Sequence, residues 1–236
     1  MGLFSNRVDR ESLKPGDHIY SWRVAYIYAH HGIYVGDNKV IHFTRHGQEA
    51  GTGSVFDVLT GSSAPPPTLI PCPNCTPTKN TNGVIASCLD CFLSGGVLYR
   101  FEYSANLAVF MGKARGGTCT LAASDPLETT LHRANCLLDH GFGCYNVFKN
   151  NCVDFALYCK TGLLVSDKKS TSQSGPASSS FIGGSLTGVV SVLFKVTKTT
   201  SGVLSGAAMY YVSRYTYDFG VRSDVIKLDV EDLPHK

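Results

Sequence analysis

The sequence predicts an α+β domain, in which an antiparallel sheet grown from one hairpin is followed by two helices, the second opening on a cysteine. Three observations predict it. Residues 28–35 and 40–43 are strand-like runs on either side of Gly36-Asp37-Asn38-Lys39, a turn sequence, and together they make a β-hairpin. A helix is expected from Asp125, with Asp125 as its cap, Pro126 at the first helical position and Glu128 three residues past the cap. Leu127, Leu131, Ala134 and Leu138 recur at helical spacing there, and Gly141 ends the run. A second helix is expected at or near Asn151-Cys152. It carries Phe155, Ala156 and Cys159 on the face of Cys152 and stops at Gly162.

The remaining elements are read around these. Lys14-Pro-Gly-Asp17 is a turn, and residues 18–22 and 96–103 are further strand-like runs. Residues 44–71, rich in Gly, Ser and Pro, read as an irregular excursion, and two cysteine pairs follow over 72–91. Residues 166–180 are a linker by composition. Beyond it, residues 181–194 and 203–212 are apolar and separated by Lys195 and Lys198. Each falls short of the roughly 18–20 residues of a spanning helix, so they read either as helix packed on the domain or as a membrane anchor made by both.

Composition excludes several classes. A net charge of +3 without a dense run of Lys and Arg argues against a nucleic-acid groove. The N-terminus turns polar at once, so no signal peptide is read, and Asn6 stands where an N-myristoylation site at Gly2 wants Ser or Thr. Nine cysteines without a secretory signal point to a reducing, cytoplasmic setting, where spaced cysteines bind metal or do chemistry.

Cys152 is the candidate nucleophile. A helix N-terminus offers unpaired N–H groups and partial positive charge, which favour a thiolate and can stabilise an oxyanion. A thiol needs a base, and His30 and His42, on the two arms of the hairpin, are the candidates: one to take the proton, the other to orient it. Their parity constrains the geometry. A bulge or an odd-length loop puts both on one face of the sheet, whereas a strict two-residue turn at Asp37-Asn38 puts them on opposite faces.

The stretch His30-His-Gly-Ile-Tyr-Val-Gly-Asp37 with Val40-Ile-His42, and the Asp125 helix leading to Asn150-Asn151-Cys152-Val-Asp-Phe155, resemble the lecithin retinol acyltransferase family. That family includes the HRAS-like suppressor phospholipase/acyltransferases and the plant NC-domain proteins. The resemblance implies a permuted NlpC-type, papain-like fold over residues 13–165; the stretch 60–95 reads as an insertion within it, and the linker at 166–180 is followed by an apolar segment with a polar tail at 181–236. It implies an acyl-thioester on Cys152, His30 as base and His42 completing the triad. It also implies a phospholipid or other acyl-ester substrate, and a membrane surface as partner through residues 181–212. Two departures stand out: His31 follows the first histidine where the family often has Trp, and Val153-Asp154 follows the cysteine. Register on Gly36-Asp37 selects His30 over His31.

Cys72-Pro-Asn-Cys75 and Cys88-Leu-Asp-Cys91 are two C-x2-C knuckles that can close a tetrahedral shell, so a structural zinc ion is expected, and no organic cofactor. Cys119, Cys136, Cys144 and Cys159 read as packing residues, and His18, His46, His132 and His140 as surface or core histidines. The leading function is thiol-dependent acyl transfer or hydrolysis on lipid esters. A cysteine peptidase or amidase and a catalytically silent interaction module are the alternatives.

Overall fold

The computed structural model describes residues 6–23, 28–44, 72, 75, 83–113, 115–145, 150–166 and 200–233. Residues 45–71 of the excursion, residues 146–149, the linker after Ser166 and the apolar run 181–194 lie outside the described residues, as does Gly2.

Five strands form one antiparallel sheet: β1 (His18–Arg23), β2 (Tyr28–Gly36), β3 (Lys39–Phe43), β4 (Val84–Cys88) and β5 (Tyr99–Arg100), in the order β4-β3-β2-β1-β5. The α+β class with an antiparallel sheet is therefore as the sequence predicts. The hairpin turn is tight. Asp37 and Asn38 both take positive φ (48° and 58°), the mirror-image turn whose twist suits a hairpin. Gly36 pairs with Lys39, but Tyr34 already pairs with Val40, so the ladder shifts by one residue between them. That bulge restores the parity a two-residue turn would have broken.

The sheet is covered on both faces. On one side Ile33, Ile41, Phe43 and Val84 meet Ala134 and Leu137 of α3 (Leu127–His140), together with Phe155, Ala156 and Tyr158 of α4 (Cys152–Thr161). On the other, Ile19 and Val40 meet Leu89, Phe92 and Leu93 of the short α1 (Leu89–Leu93). A further short helix, α2, spans Leu107–Gly112. The helix start at 125 differs from expectation. Pro126 takes the cap position of α3, and the Asp125 carboxylate accepts from Arg133 and Lys227, both at 2.7 Å. Arg133 is buried, and its charge makes the ion pair the stronger claim on Asp125.

The chain after the linker returns to this body. Following α5 (Thr200–Thr216), Arg214 is buried, donates to the Lys113 carbonyl and lies over the Phe110 ring at 4.3 Å. Asp218 accepts from Thr120 Oγ1, Leu121 N and Gly220 N at 2.9–3.1 Å. The strand β7 (Val225–Lys227) pairs with β6 (Leu163–Val165), and Val230 joins the core beside Tyr158 and Ala134. The C-terminal stretch thus contributes buried residues from Arg214 onward, including Phe219 and Val230. Among the described residues, no helix is long and apolar enough to cross a membrane.

Candidate active site

Asn151 and Asp154 start α4 reciprocally. Asn151 Oδ1 accepts from Val153 N (2.8 Å) and Asp154 N (3.4 Å), while Asp154 Oδ2 accepts from Asn151 N (3.0 Å). This capping box fixes Cys152 as the first helical residue. Just upstream, Asn150 Nδ2 ties the approaching loop down through the Phe142 and Cys144 carbonyls.

The thiol then meets β2 at a gap in the sheet. Pairing of β2 with β3 stops at Ile33–Ile41, so the backbone groups of Ala29 and His31 that face β3 have no ladder partner there. The Cys152 sulfur fills this place. It lies 3.8 Å from the Ala29 carbonyl oxygen and takes a hydrogen bond from the His31 backbone N–H, so the two contacts bracket His30. The Tyr145 hydroxyl also hydrogen-bonds the sulfur, a contact that no spacing in the sequence announces.

His30 and His42 share the face of β2 and β3 opposite α4. His30 Nε2 and His42 Nδ1 are 2.9 Å apart, and His42 Nε2 is 2.9 Å from Ser87 Oγ on β4. His30 Nδ1 is buried without a hydrogen-bond partner. In one tautomer set that satisfies both contacts, His30 Nε2–H donates to His42 Nδ1, His42 Nε2–H donates to Ser87, and His30 Nδ1 keeps a free lone pair. Phe92 packs against both rings, with centroids at 5.3 and 5.4 Å.

His31 points the other way, onto the α4 side. Its Nδ1 is 2.9 Å from His18 Nε2, His18 Nδ1 is 2.7 Å from the Tyr103 hydroxyl, and its ring stacks on Tyr20. Both His18 and His31 are fully enclosed, so His18, read from sequence as a histidine lacking a partner, belongs to a buried Tyr–His–His string.

Electrostatics keep the site neutral. Burial, then His42 and Arg23, hold His30 well below the ordinary imidazole range, and burial lowers His42 to about 3. Burial also pushes the Cys152 thiol up to about 11, with Asp154 adding to it. The His31 N–H, the Tyr145 hydroxyl and the Cys152 N–H pull in the other direction. The helix N-terminus was expected to favour thiolate; desolvation of an almost wholly enclosed sulfur outweighs it.

Gly32 makes room for the imidazole pair. A Cβ there would stand 2.8 Å from Val40 Cγ1 and 3.0 Å from both His42 Cβ and the Ile41 carbonyl oxygen. Gly32→Ala is therefore expected to push β3 outward, part the two imidazoles and cost about 1–3 kcal/mol of stability. Urea unfolding together with the ring-nitrogen NMR shifts of His30 checks this; unchanged values in both would refute it.

Beside the pair, Cys72, Cys75, Cys88 and Cys91 bring their sulfurs within 4.8 Å of one another, with Cys72 and Cys88 at 3.8 Å. All four are free thiols. Backbone N–H groups of Cys88 and Cys91 donate to the sulfurs of Cys75 and Cys88, each at 3.4 Å. Burial and the neighbouring sulfurs raise Cys91, and burial raises Cys75, so the set fits a thiophilic cation that would supply the missing positive charge.

A family profile described as lecithin retinol acyltransferase matches residues 11–165, a span that includes the hairpin, the cysteine cluster and all of α4. The chain belongs to the lecithin retinol acyltransferase family. Its resemblance to that family, read from the His30–Asp37 and Asn150–Phe155 motifs, is therefore correct. The chain is also 58% identical over 238 residues to Protein LEAD-SENSITIVE 1 of Arabidopsis thaliana, across 100% of this chain and 92% of the relative. No solved structure matches it. Membership of the lecithin retinol acyltransferase family points to acyltransferase or phospholipase-type chemistry on lipid esters.

Proposed function

We propose that the chain transfers or hydrolyses acyl groups of lipid esters through a thioester on Cys152, with His30 as base and His42 as the group that orients it. The observation that carries this reading is the ordered string His30–His42–Ser87, which leaves one acceptor nitrogen on His30 while the Cys152 sulfur lies between the backbone atoms flanking that residue. The fold that would accompany it is the permuted NlpC-type arrangement.

The step begins from neutral partners. As Sγ attacks the ester carbonyl, its proton passes to His30 Nδ1, and the imidazolium is stabilised through Nε2–H to His42. The carbonyl oxygen gains the negative charge, and the donors already around the sulfur, the His31 and Cys152 N–H groups and the Tyr145 hydroxyl, are at hand to meet it. Collapse expels the alcohol, which leaves with the His30 proton, and an acyl-thioester remains. An acceptor alcohol, amine or water then gives its proton to His30 and takes the acyl group, and the Cys152 sulfur leaves with that proton, which restores the neutral pair. With burial raising the thiol and lowering the imidazole, neither partner is charged at rest, so the proton moves as the sulfur attacks.

The ester is presented at a membrane surface in this reading, and α5 supports it by exposing Met209, Val212 and Tyr215. Zinc is the ion proposed for Cys72, Cys75, Cys88 and Cys91; with four thiolate ligands it has no open position and supplies structure alone. One observation favours the silent-module reading: Cys152 is only 5% exposed, so a substrate must open the site to reach it.

Incubating the protein with mixed phospholipid vesicles separates the two. Acyl mass on the Cys152 peptide is expected in wild type and absent in Cys152→Ser, whose hydroxyl is far harder to deprotonate, with both proteins co-sedimenting with the vesicles. Wild-type turnover in Cys152→Ser would remove the nucleophile. No acyl adduct on any donor, with an inert thiol, would leave the silent module.

A further inference from the structure

The imidazole pair and the cysteine cluster meet at one short stretch, residues 87–93. Ser87 Oγ is hydrogen-bonded to His42 Nε2 at 2.9 Å, and the next residue, Cys88, is a cluster member whose N–H donates to Cys75 Sγ. Cys91 N–H donates to Cys88 Sγ, and the next residue, Phe92, lies against both imidazoles. Helix α1 has five residues, too few to hold its shape alone. It is held at its ends: the Cys88 sulfur caps the first turn, and the Arg23 guanidinium meets the Phe92 and Leu93 carbonyls at the last.

We infer that a metal ion held by Cys72, Cys75, Cys88 and Cys91 sets the competence of the His30–His42 pair, with Ser87 as the positioning residue that transmits it. This rests on the acyl-transfer reading of that pair. Closing four thiolates on one cation fixes the positions of the Cys88 and Cys91 sulfurs, and so of the hydroxyl and the ring next to them in sequence. Without the cation, four sulfurs within 4.8 Å of one another have no common charge to hold them together. The β4–α1 corner is then free to shift. A small shift breaks the 2.9 Å contact of Ser87 with His42 and releases the ring that orients His30. The cysteine knuckles, read from sequence as part of an insertion at 60–95, are on this geometry the outer wall of the imidazole pair.

The test compares full-length wild type with Cys75→Ser, Cys75→His, Ser87→Ala and Ser87→Thr. Three quantities are read: metal per chain, kcat and KM on an acyl ester, and the ring-nitrogen NMR shifts of His42. Cys75→Ser is expected to lose the metal and at least about tenfold in kcat with KM little changed, and to shift the His42 Nε2 signal. Cys75→His, which keeps a zinc ligand, is expected to restore metal and kcat together. Ser87→Ala is expected to keep the metal yet lose about as much kcat, and Ser87→Thr to recover it. A metal-free Cys75→Ser with wild-type kcat and His42 signals would overturn the coupling. If that variant does not fold, Ser87→Ala decides, since an unchanged kcat and ring shift there overturns it equally. Should loaded wild type turn over no ester, the acyl-transfer reading fails instead, and the ring shifts still decide the coupling.

Discussion

His30→Ala is expected to lower kcat by about 10²–10⁴-fold, the span typical of a lost general base, while the fold persists. The residue removed is the one whose flanking backbone atoms hold the Cys152 sulfur, whereas His42 lies one ring further along the string, on β3, with its Nε2 on Ser87. His42→Ala is expected to cost less, since it removes the orienting group and leaves the base in place. His31→Ala tests the alternative. Its ring lies on the α4 side of the sheet, stacked on Tyr20 and bonded to His18, and its Nε2 is also buried without a partner. It is expected to lower stability while turnover per folded molecule stays near wild type. The measurement is the alkylation rate of Cys152 against pH, read on its own peptide, in all three variants. Loss of reactivity in His31→Ala, with His30→Ala behaving like wild type, would transfer the role of base to His31.

Much of this site was legible from local sequence. The Asp37-Asn38 turn, the strand runs around it, the start of a helix on Cys152 and its end at Gly162 all depend on contacts within a few residues, which sequence patterns report. The parity of His30 and His42 was posed correctly, but its answer is a bulge between Tyr34 and Gly36, and Val35 carries no mark of it. What was missed is nonlocal. His18 looked solitary because its partner Tyr103 lies 85 residues away, and Ser87 stands 45 residues from His42. Strand β4 was hidden because its five residues run straight into the second cysteine knuckle. The C-terminal return is anchored by Asp218, whose partners Thr120 and Leu121 lie 98 and 97 residues earlier, beyond any periodicity. Asp125 looked like a cap because Arg133 and Lys227, which claim its carboxylate, are invisible to a capping pattern.

The protein is expected to lose most of its stability between pH 7 and pH 5, and histidines are the reason. His18, His30, His31 and His42 are all at most 3% exposed, and burial holds each below its ordinary value, His31 and His42 to about 3. In the unfolded chain each titrates near an ordinary pKa of about 6.5. Below that, the unfolded state binds more protons than the folded one, so stability rises with pH there. It is fully present above about 6.5 and is lost as pH falls toward the folded values. From pH 7 to 5 the loss is about 2 kcal/mol for each histidine that stays neutral, or roughly 8 kcal/mol for four. That is comparable with the entire stability of an ordinary domain, about 5–15 kcal/mol. Urea unfolding at pH 7, 6 and 5 reads it, with proton uptake on unfolding at pH 5.5 as the direct count. Thiolate ligands would also release a metal in acid, so the same series on Cys75→Ser separates the two effects: its acid slope is expected to persist. Equal stability at pH 7 and 5 would mean that these imidazoles accept protons inside the fold, which would also deprive His30 of the neutral state its role requires.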